Sequence, residues 1–178
     1  YQEPTPLSGV ESLTSFRMVE RHYIDVTFDL VFHKTDFFDH DYAGLFWASY
    51  INNPEDKKMY FKGMSESDKD SMYMVAAWSE EHGTSSTHRS ADDDHDFFFA
   101  DNFNARLANH YSGVRFAEPW FFGRYKDMVL AYFLEGEEII RFSQSPTGGG
   151  RMNPAWDFQY LIPSPEENKR YSLKVRVM

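Results

Sequence analysis

A chain of 178 residues suits one ordinary domain with a real core, and its formal charge of −10 (18 basic against 28 acidic residues) disfavours nucleic acid and anionic membrane as partners. There is no cysteine, so disulfides and thiolate chemistry are excluded. No stretch approaches the roughly 20 apolar residues of a membrane span, while 17 Phe, 11 Tyr and 4 Trp favour strands and ligand-stacking surfaces over a helical bundle.

Tyr1 to Gly9, with Pro4, Pro6 and Gly9, reads as an extended lead-in. The first residue is Tyr rather than Met and no signal peptide is visible, which suits a processed chain or a piece of a longer one. Thr14 to Glu20 alternates weakly around Phe16 and Met18. His22 to His33 is the clearest strand: Ile24, Val26, Phe28, Leu30 and Phe32 share one face and Asp25, Thr27 and Asp29 the other, the mark of a half-buried antiparallel strand.

Ala43 to Ile51 is apolar on both faces and is expected as a central strand covered on both sides. A turn at Asn52 to Asp56 leads to a strand at Lys58 to Lys62, with Tyr60 opposite Met59 and Phe61; Met72 to Trp78 is a further strand candidate, although its Ala and Met residues would also suit a short helix. Glu80 to Asp96 is a long polar loop of the kind that often carries function. Asp101 to Tyr111, with an Asp or Asn cap and apolar Phe103 and Leu107 one turn apart, predicts the one helix.

Strands follow at Val114 to Glu118, Pro119 to Tyr125 and Met128 to Leu134; a hairpin turn through Glu135 to Glu138 then leads to Ile139 to Gln144. Phe158 to Ile162 and Tyr171 to Val177 complete the set, the last stopping without a turn. Short strands at regular spacing predict an all-β antiparallel sandwich, one domain over residues 1–178.

The stretch from Ile139 to Phe158 carries the leading candidate site. Ile140 and Phe142 are expected to face the core and Arg141 and Ser143 the other way; a loop with Pro146 and three consecutive glycines follows, and Trp156 and Asp157 open the next strand. Arg141, Gln144, Arg151, Trp156 and Asp157 are thereby gathered at one end of two strands. A cation, an amide, an indole face and a carboxylate suit a polyhydroxylated ligand, a mono- or oligosaccharide. The same pattern also fits a plain surface loop and a core Trp. A P-loop is excluded, because Arg-Met-Asn-Pro rather than Gly-Lys-Ser/Thr follows the glycines.

Three further groups stand out. His82 and His88 on the long loop are candidates for proton transfer near neutral pH, against the ordinary reading of surface histidines. Asp92, Asp93, Asp94 and Asp96 could hold calcium, although the run lacks the spacing and glycine of an EF-hand and a solvated acidic loop is its default reading. No other metal or cofactor is expected. Glu118, Trp120 and Arg124 form a second carboxylate–indole–guanidinium group, and Arg124 and Arg141 reach one cleft if the strands around the Glu135 turn are neighbours. No Gly-x-Ser-x-Gly elbow supports a Ser-His-Asp triad.

F-W-A-S-Y-I-N from Phe46 to Asn52, the His82 to His88 loop, and R-F-S-Q-S-P-T-G-G-G with N-P-A-W-D-F together resemble uncharacterised bacterial proteins of the galactose mutarotase-like group. The resemblance implies a supersandwich that binds sugars on a concave face, with His82 or His88 as acid and Arg141 as holder of sugar hydroxyls. The group's late catalytic glutamate has no counterpart, Asp157 being the nearest, and its supersandwich is generally larger than this chain. The expected function is therefore a carbohydrate-active sandwich protein working as an epimerase, lyase or glycoside hydrolase. Its cleft would be lined by Arg141, Arg124, Trp156, Trp120 and Gln144, with His82, His88 and Asp157 catalytic. The alternatives are a non-catalytic carbohydrate-binding module and a structural domain. Nothing in the pattern fixes an oligomeric state.

Overall fold

The computed structural model describes residues 1–79, 81, 84–99, 110–147, 150 and 152–178. Among these residues twelve strands run β1 (Val10–Val19), β2 (Tyr23–Phe32), β3 (Tyr42–Trp47), β4 (Met59–Ser65), β5 (Asp68–Ala77), β6 (Thr87–His88), β7 (Val114–Phe116), β8 (Trp120–Tyr125), β9 (Met128–Gly136), β10 (Ile139–Ser145), β11 (Ala155–Pro163) and β12 (Arg170–Val177). Every named pairing is antiparallel. The large sheet has eight strands in the order β1-β2-β12-β9-β8-β4-β5, with β7 beside β4, and the small sheet has four in the order β3-β11-β10-β6. No helix occurs among the described residues; the expected helix at Asp101 to Tyr111 lies outside them except for its last two positions.

The core is the layer between the sheets, as alternation requires of a sandwich. Val26, Phe28, Phe61, Phe121, Tyr132, Leu134, Leu173 and Val175 of the large sheet meet Ile140, Phe142, Trp156, Phe158, Tyr160 and Ile162 of the small one. Phe142 stacks on Phe116 at 3.9 Å and meets Phe121 edge-on at 5.0 Å. At Gly123 on β8 the layer closes most tightly, since a Cβ there would overlap the six-membered ring of Trp156. Aromatic density is thus used largely in packing.

Two expectations about connectivity fail. The Glu135 to Glu138 segment is not a hairpin: β9 pairs with β8 and β12 in the large sheet, whereas β10 pairs with β11 and β6 in the small one. The turn residues are real, but the chain uses them to cross between layers. β3 is also an edge strand of the small sheet, and Gly44, Phe46, Ala48 and Tyr50 alternate outward into solvent while Ala43 and Ser49 are buried. Leu45 and Trp47 pack on the core from the same face as Ala43, so the second apolar face holds Phe46 without covering it.

Candidate functional site

The outer face of the small sheet departs from the usual sandwich, because it is polar and nevertheless buried. Arg141, Ser143 and Ser145 on β10, Asp157 and Gln159 on β11 and Thr87 on β6 are each at most 2 % exposed. Register places them in rows: Thr87 pairs with Ser143 and Ser143 with Asp157, while Arg141 pairs with Gln159 and Gln159 with Phe46. Because side chains alternate, this set faces away from Trp156, Phe142 and Gln144, which point into the core. Gln159 Nε2 donates to Ser143 Oγ at 2.6 Å, tying β11 to β10 across the face.

Asp157 is the unusual member. It is 1 % exposed and no cation pairs with it among the described residues. One short hydrogen bond supports it, donated by the Ser49 backbone N–H to Oδ1 at 2.6 Å. Burial pushes its carboxyl up to about 7, with the Ser49 N–H pulling the other way. Behind it, Trp47 Nε1 and the Tyr132 hydroxyl both donate to Ser49 Oγ, at 2.9 and 3.2 Å. Ser49 is thereby fixed from the core side while its N–H is offered to the carboxylate. Desolvation raises the Tyr132 hydroxyl, and the Asp157 charge adds to the rise.

Arg141 is held quite differently. Its Nε and Nη2 donate to the two oxygens of Asp93 at 2.6 and 3.1 Å, Nη2 also donates to the His95 carbonyl at 2.5 Å, and Nη1 donates to the Tyr111 hydroxyl at 3.0 Å. Its guanidinium lies 4.9 Å from the Phe97 ring and 5.1 Å from that of Tyr111. The expected holder of sugar hydroxyls is consumed by its own chain and fastens the segment around Asp93 to Phe97 over one end of the polar face.

The other expected site residues scatter. His88 pairs with Phe142 and points to the core, where its ring sits 4.8 Å from Phe61 and Nδ1 lies 3.1 Å from the Val114 carbonyl. Burial lowers it to about 4, so it is neutral at physiological pH and stands on the opposite face from Asp157. His82 lies outside the described residues, as do Gly148, Gly149 and Arg151 of the triple-glycine loop. Trp156 has no exposed surface; it packs on Gly123, and its Nε1 donates to the Lys57 carbonyl at 3.1 Å. Gln144 faces the core too: its Oε1 accepts from the Ser79 N–H at 3.1 Å, and its buried Nε2 has no partner among the described residues.

Trp120 and Arg124 alternate with buried Phe121 and Gly123 on β8 and so lie on the outer face of the large sheet, a full sandwich away from Arg141. There Trp120 Nε1 donates to Glu118 at 2.8 Å, and Trp120, Phe122 and Tyr60 form a stacked series. The single cleft shared by both arginines does not form, because β9 and β10 belong to different sheets.

The acidic run is matched to arginines rather than left to a cation. Asp93 pairs with Arg141, Asp94 with Arg115 at 2.9 Å and Asp96 with Arg89 at 3.4 Å, while Asp92 is exposed. No group of three or more histidine or acidic side chains is gathered for a metal among the described residues, so the calcium expectation finds no cage.

Of the expected set, Asp157 and Arg141 share the buried polar face, and Ser143, Gln159 and Ser49 complete it. Alternation could have found the first two of these additions, since Ser143 faces away from the core with Arg141 and Gln159 falls two residues after Asp157. The partnership with Ser49 carries no sequence signal. The fold and the cluster define an antiparallel β-sandwich with a sequestered polar face built around one carboxylate that has no counter-charge among the described residues. Comparison with protein-family models, curated proteins and solved structures finds no match for this chain.

Proposed function

We propose that this protein binds a sugar on the outer polar face of the small sheet and moves a proton through Asp157, in an architecture of the galactose mutarotase-like type. The observation that carries the reading is Asp157 itself: a buried carboxyl raised to about 7, held by one N–H and set beside Ser143 and Gln159. A buried carboxylate without a counter-ion costs stability, and such groups gather where acid–base work is done. A pKa near 7 lets the group give or take a proton at physiological pH, and amide and hydroxyl neighbours are the usual partners of sugar hydroxyls.

The chemistry that fits is a single proton transfer, as in epimerisation or elimination. Glycoside hydrolysis normally needs two carboxyl groups flanking the bond, about 5 to 9.5 Å apart, and Asp93, the other buried carboxylate among the described residues, is taken by Arg141. With no second unpaired carboxylate buried among the described residues, the alternative, a binding module without turnover, is favoured as well.

A panel of mono- and oligosaccharides tests the reading. Binding at this face raises the melting temperature as ligand concentration rises, and Asp157→Asn keeps binding within a few-fold while lowering any turnover by about a hundredfold or more. If no sugar shifts the melt or perturbs the NMR signals of Gln159 and Ser143, the sugar reading is wrong. Binding without turnover on any sugar selects the module.

A further inference from the structure

Independently of the sugar reading, we infer that the free edge of β5 pairs antiparallel with the same strand of a second copy, joining two large sheets across a two-fold axis at Met74. β5 closes the large sheet, and on one side it pairs with β4. Among the described residues no isolated bridge and no loop backbone bonds to its other side. The remaining three sheet edges are shorter or partly taken. Gln2 bridges to β1 at Ser12, β6 has only two residues and bridges to Tyr111, and Tyr42 on the short β3 is packed against Phe97 and Phe99. β5 is ten residues long, and from Ser71 to Ala77 it carries no charge, proline or glycine. Asp68 accepts from the N–H groups of Asp70 and Ser71, so the open edge begins at Met72. An unguarded edge of this kind takes up another strand.

The strand is complementary to itself. Paired strands keep their side chains in step, so self-pairing about a two-fold axis joins positions of equal parity. Centred on the apolar run, it sets Met74 against the partner's Met74, Met72 against the partner's Ala76 and Tyr73 against the partner's Val75. Met74 and Ala76 lie on the outer face, opposite Lys62 and Tyr60 of β4, and Met72 and Met74 are 56 and 54 % exposed. The same register matches charge at both ends. It places Asp70 opposite the partner's Trp78, and Lys58 stands beside Trp78, one residue beyond the Met59 to Ala77 pair. Asp70 and the partner's Lys58 then share a face two strand spacings apart, about 10 Å, which a lysine side chain helps to span. Neither residue is in an ion pair within its own chain among the described residues, and nearby Asp56 is turned to the Tyr60 hydroxyl at 2.6 Å. A charge of −10 on each copy opposes association, so the dimer forms as concentration rises and is not obligate.

The chain has no cysteine, so an introduced one reports a single position. Directly opposed residues of an antiparallel pair have Cα atoms about 4.5 to 5.5 Å apart, within reach of a disulfide. Under a mild oxidant Met74→Cys should close into a covalent dimer at least about tenfold faster than Met128→Cys, a comparably exposed methionine on β9. Met72→Cys and Ala76→Cys should each resist cross-linking alone and join one another when mixed. By sedimentation equilibrium the unmodified chain should pass from monomer to dimer as concentration approaches about 1 mM. Asp70→Lys should weaken that dimer about tenfold, and Asp70→Lys with Lys58→Asp should restore it. Melting in dilute solution should stay within a few degrees for every variant, because none of these side chains is in the core. A chain that remains monomeric at about 1 mM overturns the inference, as does Met74→Cys oxidising no faster than Met128→Cys. Self-cross-linking of Met72→Cys or Ala76→Cys in preference to Met74→Cys refutes the axis at Met74, and a charge swap that restores nothing refutes the pairing of Asp70 with the partner's Lys58.

Discussion

Asp157 concentrates the energetic tension of the molecule at one residue. Its folded pKa is raised from 3.8 to about 7, so the folded state holds the proton more tightly than the unfolded chain. The group therefore destabilises nothing below about pH 4, and its cost appears as pH rises from there through about 7. The gap between those values corresponds to a penalty of order 4 kcal/mol once the group is fully ionised. Asp157→Asn keeps an oxygen for the Ser49 N–H and removes the charge, so the variant should melt higher than wild type at pH 8, with the difference vanishing near pH 4. Equal melting curves at pH 8 would mean that the carboxylate is not sequestered. His88 runs the other way, because its pKa is lowered to about 4. Its neutral form contributes stability that is present above about pH 6.5 and lost as pH falls towards 4. Acid unfolding of the Asn variant should therefore keep a His88 component that His88→Phe removes.

At the scale of elements, β10 and β11 carry both the core and the site, because alternation gives each strand two faces. The core face was legible in the sequence, as Ile140 and Phe142 alternate with Arg141 and Ser143. The partner of Arg141 was not, since Asp93 stands 48 positions away in an acidic run that reads equally well as a solvated loop or a calcium site. Folding brings the two together with no solvent between them, so the pair ties the 89–99 segment to the small sheet. Arg141→Met leaves Asp93 buried without its counter-charge and should cost about 3 to 5 kcal/mol in urea denaturation. The double variant Arg141→Met with Asp93→Leu should recover most of that loss. A double variant as unstable as the single one would show that the arginine acts through its packing on Phe97 and Tyr111.

For the whole molecule, the separation of the layers is set where Trp156 of the small sheet rests on Gly123 of the large one. Gly123→Ala adds a methyl group where the indole already lies, and should destabilise by about 3 kcal/mol. Trp156→Phe in the same chain should relieve part of that, a coupling that a thermodynamic cycle would measure. Additive losses would indicate that the sheets can separate freely at this point.

Residue order alone determined the class of architecture and most strand positions, because period-two alternation and turn residues act locally and survive any arrangement of the strands. It also determined which side of β10 turns from the core. What tertiary structure decided was which strands are neighbours. The Glu135 to Glu138 segment has the same composition whether it closes a hairpin or arches between sheets, and that choice separates Arg124 and Trp120 from Arg141 by the full thickness of the sandwich. Burial is likewise a property of the assembled layers: it turned Trp156 and His88 into core groups, consumed Arg141 in an ion pair, and left Asp157 as the one sequestered carboxylate without a counter-charge among the described residues.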